Sequence, residues 1–315
     1  MKTVTTTASG NGASDDTAAL QADLNLLAQS TVPTRLWLPR GIYRIRRPLR
    51  FIAPSVATAI DGDFSVITPG MPGTPSVGSL AALLRLVVPS GSGPFEMRRL
   101  TLNGSGLPKI KYITTVGLEL YGGSNKSIVI ESVLAYLCQV GFAISGCDGF
   151  VVRYCRATAC ERVGWAIVGG TWTSPIKIDS CSATHGLQHG LWCAPGAQAT
   201  LSGFHAETNA GRGVVLGSEA VVFSGAVEAS APPAGPPVDI TGGLFEANFE
   251  GGIAVFGGTS AKISWPRFVG GGGGILTIEA KGGGTVDVTL PFISSSPDPV
   301  PWNWVPPTWE PQWTT

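Results

Sequence analysis

The sequence predicts an all-β fold, a solenoid of stacked β-coils preceded by one α-helix. Three observations predict it. A glycine that opens a short apolar strand recurs as Gly141, Gly164, Gly190, Gly213 and Gly252, at spacings of 23, 26, 23 and 39 residues. A period in the low twenties is that of one solenoid coil, too short for a propeller blade or a helical repeat. The composition, with Gly 43, Pro 24 and only 13% charged residues, is rich in turns and poor in long helix. Ahead of the repeats, a capped amphipathic stretch and an alternating strand follow one another within the first fifty residues.

The first element is that helix. Ser14, Asp15 and Asp16 are placed to accept bonds from the free N–H groups of its first turn, and the carboxylates suit its positive end. Leu20, Leu24 and Leu27 fall at i, i+4 and i+7, one face that must cover something apolar. Leu36 and Leu38 then alternate on one side of a strand, Pro39-Arg40-Gly41 turns, and Ile42 and Ile45 resume it. Residues 53–80 and 103–115 lack periodicity and are expected to be loops or irregular early coils.

In the repeats, Phe142, Trp165, Leu191, Val214 and Ile253 follow the glycine by one residue, and Ile144, Ile167, Cys193, Leu216 and Val255 by three. Both columns are apolar and should point inward, while Ala143, Ala166, Trp192, Val215 and Ala254 between them should point out. The long spacing contains Ala231 to Pro237, either a loop inserted into one coil or a partly formed extra coil. Six cysteines, at positions 138, 147, 155, 160, 181 and 193, lie within about a quarter of the chain. Cys155 and Cys181 both precede their glycines by nine residues, as stacked core residues would, so reduced buried thiols are expected. The C-x₄-C spacing of Cys155 and Cys160 lacks a matching second pair, which argues against zinc.

Ile275 to Ile278 and Val286 to Leu290 alternate as strands between glycine runs. From Pro297 to Thr315 there are six prolines and four tryptophans but no period. Such a segment is expected to be an extended arm docking its indoles on a neighbouring subunit. The expected organisation is therefore 1–50 for the capping helix and first strands, 51–290 for the solenoid and 291–315 for the Pro/Trp-rich tail.

Twenty-one basic residues balance twenty-one acidic ones, so no nucleic acid is expected as a partner. No window reaches eighteen apolar residues, which argues against membrane insertion. Met1-Lys2 leads into a Thr-rich polar stretch with no secretory leader pattern, and synthesis in a cytosol is expected.

Gly10-Asn11-Gly12, Asp15-Asp16-Thr17, Ala18 and Gln21, followed by the strand from Leu36 to Tyr43, resemble the N-terminal signature of the pectate-lyase-like right-handed β-helix superfamily. The resemblance implies a right-handed parallel β-helix whose open end is plugged by the helix. It also implies dealings with polysaccharide, most nearly those of a phage tailspike or virion spike. The expected protein is a homotrimer of the virion that binds bacterial surface polysaccharide and hydrolyses it. It would meet other virion proteins through its N-terminus or its C-terminal tail. A non-catalytic decoration spike and a free bacterial polysaccharide lyase or hydrolase remain alternatives.

Chemistry on such a fold needs outward side chains stacked on successive coils, and a carboxylate pair there can flank a glycosidic bond. Residues just before the aligned glycines supply candidates. Glu161, Glu207 and Glu246 are the candidate catalytic carboxylates, and His185, His189, Trp192 and Arg212 the candidate substrate-binding residues. Glu207-Thr208-Asn209 and Glu246-Ala247-Asn248 stand at matching distances from their glycines, so they are expected to stack. Surface Glu and Arg are more often merely solvated. Gly186 and the coil register argue against a metal pair at His185 and His189, and no Asp-rich calcium cluster lies on the coils. Neither a metal nor another cofactor is expected.

Overall fold

The computed structural model describes residues 1–70, 82–105, 115–122, 127–146, 149–168, 174–217, 238–256, 259–269, 277–280, 284–289 and 303–304. The chain winds into a parallel β-helix with three faces. One coil shows the pattern: Val151–Arg153 on face A, Arg156–Thr158 on face B and Val163–Val168 on face C. The next coil repeats it as Ile176–Asp179, Ser182–Thr184 and His189–Cys193. Two more follow: Ala199–Ser202, His205–Glu207, Arg212–Leu216, then Val238–Thr241, Leu244–Glu246, Gly251–Val255. Every strand pairs in parallel with its counterpart one coil away. Among the described residues, faces A and B form one 18-stranded sheet, and face C a 10-stranded sheet from Leu49–Ile52 to Asn303–Trp304.

The earlier coils take the second of the two forms expected for this stretch, an irregular coil. Residues 58–69 are not a loop: Thr58–Pro69 is a twelve-residue strand that crosses faces A and B, bent where Asp63 and Phe64 adopt positive φ. Phe95–Asn103 and Ile128–Tyr136 cross the same two faces, bent at Arg99 and Ser132. Residues 71–80 and 106–114 of the stretches expected to be irregular lie outside the described residues.

The predicted register holds. Phe142, Trp165, Leu191, Val214 and Ile253 are paired rung by rung and fully buried. Phe142 lies flat on Trp165, with centroids 4.0 Å apart and planes 9° apart, and the Trp165 indole N–H donates to Ser182 O at 2.9 Å. The glycine that marks each coil sits where faces B and C meet. A Cβ on Gly164 would stand 2.7 Å from Gly190 O and 2.8 Å from the Ala183 Cβ. The glycines and the inward alanines (Ala157, Ala183, Ala206) together let that corner close. The repeat in the sequence is thus a packing requirement of one corner.

The 39-residue spacing resolves as an insertion into a single coil. Leu201 pairs directly with Ile240 and Val214 with Ile253, so no extra rung intervenes. Ala231 to Pro237 lie outside the described residues. So do Gly270 to Leu276, Cys147, and residues 297–315 except for the Asn303–Trp304 pairing with Thr277–Ile278. Cys138, Cys155, Cys160, Cys181 and Cys193 are buried and free, and the Cys155 N–H donates to Cys181 Sγ at 3.4 Å.

The helix, Thr17–Ala28, lays Leu20, Leu24 and Leu27 against Leu49–Ile52 and Thr34–Trp37. Its capping differs from expectation. Asp15 Oδ1 accepts from the Thr17 N–H at 3.0 Å, but Asp16 makes no cap bond and instead accepts from Ser9 N–H and Oγ–H at 2.7 and 2.8 Å. Ser14 Oγ accepts from Asn11 Nδ2. Buried Asp23 likewise ties the helix back, accepting from the Thr6 hydroxyl and the Thr7 N–H. Leu36, Leu38, Tyr43 and Ile45 face inward, whereas Ile42 faces solvent.

Face A carries a ladder of alternating charge. Asp61, Arg98, Glu131, Arg153 and Asp179 occupy one outward row on successive rungs. Arg98 Nε lies 3.1 Å from Asp61 and Arg153 Nη2 3.0 Å from Glu131. Burial alone would push the Asp61 carboxyl up, but the Arg99 hydrogen bonds, the Asp63 amide and the charges of Arg99 and Arg98 hold it below the usual range.

Candidate functional site

On face B, Glu207 and Glu246 are direct register partners, one rung apart. Ala206 and Phe245 between their neighbours are buried, so alternation turns both carboxylates outward. Rungs of a sheet lie about 4.8 Å apart. His205 shares this outward side, with Nε2 3.7 Å from Glu207 Oε2, and both side chains are about one-third exposed. On the preceding rungs the same row holds Thr184 and Thr158, whose hydroxyls meet at 3.2 Å.

The backbone beneath the pair is pinned by buried asparagines. Asn209 Nδ2 donates to Asn248 Oδ1 at 2.8 Å and to Ala183 O at 3.1 Å, and Asn209 Oδ1 accepts from the Gly186 N–H at 3.0 Å. Asn248 Nδ2 donates to Ala206 O at 2.9 Å. Between each glutamate and its asparagine, Thr208 and Ala247 take the left-handed conformation that turns the corner. The matching Glu-x-Asn triplets in the sequence therefore do two jobs: glutamate faces out and asparagine fixes the turn below it.

The remaining expected residues divide among several places. His185 is exposed at the corner one rung before, its N–H donating to Glu207 O at 3.0 Å, and so borders the pair. Glu161 occupies the equivalent corner two rungs before Glu207, about 10 Å along the axis. His189 and Arg212 lie together on face C: the Arg212 N–H donates to His189 Nδ1 at 2.9 Å. The Arg212 guanidinium is mostly buried, 3.6 Å from Glu250 and over the Phe256 ring.

Trp192 corrects an expectation. It points outward as predicted, but it is only 7% exposed, and its indole N–H donates to Gly217 O at 3.1 Å. Ala166, Val215 and Ala254, also expected to face out, are equally covered. The outer side of face C carries an apolar layer that includes Val116, Val140 and Val163, so Trp192 offers no open platform for a sugar.

Two residues near the pair were not anticipated. His205 was legible, because it stands two residues before Glu207 on the same strand face. Phe249 was not, since only the folded corner shows it 68% exposed, three residues beyond Glu246. Leu187 is exposed at the equivalent corner two rungs earlier. A separate cavity of about 210 Å³ on the early coils is lined by Arg98, Arg99, Glu131 and Ser132, where Arg99 Nη2 reaches both Asp61 oxygens at 2.7 Å. Among the described residues no group of three His, Cys, Asp or Glu is placed to hold a metal ion. Nor, among them, is any helix long and apolar enough to cross a membrane.

With stacked parallel coils and this outward row in view, the class is that of a β-helix with a side-chain-bearing outer face. The profile described as Right handed beta helix region matches residues 108–265, half of the chain, and the chain belongs to that family. Among solved structures it is similar to the A-module of the Azotobacter vinelandii mannuronan C-5 epimerase AlgE6. The TM-score is 0.58 and the identity 16%, covering 90% of this chain and 97% of that one. It is also similar to the Dettilon tailspike protein (gp208), with a TM-score of 0.50 and 14% identity over 92% of this chain, which spans 62% of that protein's length. At such identities the likeness is one of fold. No curated protein sequence matches the chain.

Proposed function

We propose that this protein is a virion-associated spike that binds bacterial surface polysaccharide and hydrolyses its glycosidic bonds at Glu207 and Glu246. The observation that carries the reading is the in-register pair of outward carboxylates on adjacent rungs. Their rung spacing of about 4.8 Å is close to the separation of roughly 5–5.5 Å between the carboxyl groups of retaining glycosidases.

In such a reaction one carboxyl gives its proton to the departing glycosidic oxygen while the other attacks the anomeric carbon. The first then takes a proton from the water that releases the sugar. Glu207, with His205 Nε2 3.7 Å away on the same outward side, is assigned the attack, and Glu246 the role of acid and base. Exposed Phe249 offers the apolar stacking surface that Trp192 cannot. The reaction needs no cofactor. Likeness of fold to a tailspike supports the virion setting, and the aromatic tail supports a homotrimer.

The test is incubation with purified capsular polysaccharides and lipopolysaccharides, followed by assay of new reducing ends. Glu207→Gln and Glu246→Gln should each lower the rate by about 100- to 10,000-fold while leaving the fold intact. Retention of the parent rate in both variants would remove the pair from the chemistry. Tight binding without new reducing ends in the parent would favour the non-catalytic spike.

A further inference from the structure

Each face begins at the N-terminal end of the solenoid with a strand edge, and side chains close two of the three. On face C, Gln21 of the helix pairs with the backbone of Arg50, accepting its N–H at 2.9 Å and donating to its carbonyl at 2.8 Å. On face B, the first strand is Asn11–Asp15, where Asn11 Oδ1 accepts from the N–H groups of Ala13 and Ser14 at 2.8 and 2.9 Å. On face A the first strand is Lys2–Thr5, which among the described residues pairs with Thr34–Trp37 on one side and with nothing on the other. The N–H groups of Lys2 and Thr6 donate to Pro33 O and Trp37 O. Alternation along the strand therefore turns the N–H and C=O of Thr3 and Thr5 toward the open end. Both threonines are exposed.

A row of unpaired backbone groups is a template for another strand. Of the residues that usually blunt such an edge, Lys2–Thr5 carries one lysine and no proline. Its surroundings are cationic. Arg35 is the register partner of Thr3, and its Nε is buried with no hydrogen-bond partner. Among the described residues neither Arg35 nor Lys2 stands in an ion pair. Trp37, the register partner of Thr5, is 37% exposed and offers an apolar contact beside the edge. Two copies of the chain meeting edge to edge would bring four such cations to one seam, whereas an acidic segment would supply the missing counter-charge.

We propose that this edge binds an extended acidic segment of another protein, which adds one rung ahead of Lys2–Thr5. Its backbone bonds to Thr3 and Thr5, and its carboxylates meet Lys2 and Arg35. In such strand addition the main chain supplies affinity and alternate side chains supply selectivity. The coil that carries Glu207 lies seven rungs further on, about 34 Å along the axis. The edge therefore stands or falls separately from the chemistry proposed for the carboxylate pair.

The test is fluorescence anisotropy at low salt, with the full chain and a labelled hexapeptide of sequence EVTVEV as the probe. The peptide KVTVKV should bind about tenfold more weakly. Fully N-methylated EVTVEV, which has no N–H to give, should also lose about tenfold, and this arm leaves the protein untouched. Thr3→Pro and Thr5→Pro remove amides that bond to nothing within the fold, so both variants should melt like the parent and bind EVTVEV about tenfold more weakly. Arg35→Gln should narrow the gap between the acidic and basic peptides. No binding of EVTVEV, or undiminished binding by the methylated peptide or by both proline variants, would overturn the edge as a docking site. Equal binding of EVTVEV and KVTVKV by the parent would overturn its selection of an acidic segment. A mass by light scattering that doubles with protein concentration, and does not in the proline variants, would seat a second copy there and overturn the acidic partner.

Discussion

A thiol shut away from water keeps its proton, because nothing solvates the thiolate. Burial pushes Cys138 up to about 12, and burial likewise pushes Cys160, Cys181 and Cys193 up, with the neighbouring Cys155 adding to the effect on Cys181. In the unfolded chain these thiols ionise near their ordinary value of 9. The folded state therefore binds more protons above that pH, and the stability that is complete below 9 is lost as pH rises toward 12. Each thiol can contribute a slope of about 1.4 kcal/mol per pH unit. Urea unfolding midpoints should be level between pH 7 and 8 and fall steeply from pH 9 to 11; a level midpoint across that second range would contradict the buried-thiol arrangement. The thiol stack was legible from the shared nine-residue offset of Cys155 and Cys181. The role of Asp16 was not. A carboxylate ahead of a helix normally caps it, and only the fold brings Ser9 close enough to take its place.

At the scale of the element, the corner between faces B and C is the most demanding piece of the molecule. Gly164→Ala would drive a methyl against a backbone oxygen held in its own rung and against the Ala183 methyl. Overpacking of that kind costs typically 1–3 kcal/mol. The variant should melt several degrees lower by circular dichroism; a melting temperature equal to the parent's would mean that the corner accepts a methyl without crowding. Aligning on these glycines was enough to find the core columns, because steric need at one corner repeats wherever the corner does. The strand Thr58–Pro69 escaped for the opposite reason. Buried Asp61 and the bend at Asp63 and Phe64 interrupt its alternation, so a strand across two faces carries no single two-residue period.

For the whole molecule, a period gives height along the solenoid axis but not angle around it. Glu207 and Arg212 belong to one coil and share a height, yet they sit on faces B and C. Trp192 and Glu207 share neither height nor face. The Glu207–Glu246 stacking was legible from the matching triplets, while the placement of Trp192, His189 and Arg212 on face C needed the three-sided cross-section. At the far end, Asn303–Trp304 adds a last rung to face C. Removing residues 305–315, which spares that rung but deletes Trp309 and Trp313, should convert the proposed trimer to monomer by light scattering. Unchanged mass would place the assembly contacts on the solenoid itself.

The alternating row from Asp61 to Asp179 has a kinetic meaning. Its charges change sign every rung, about 4.8 Å, well inside a Debye length of about 8 Å at physiological salt. Seen from the distance at which diffusing bodies begin to feel one another, that face carries almost no field, and the chain as a whole is formally neutral. That row should therefore add little long-range attraction or repulsion toward a charged partner. Encounters along it should proceed at the unsteered rate, roughly 10⁵–10⁶ per molar per second, and vary little between fresh water and brine.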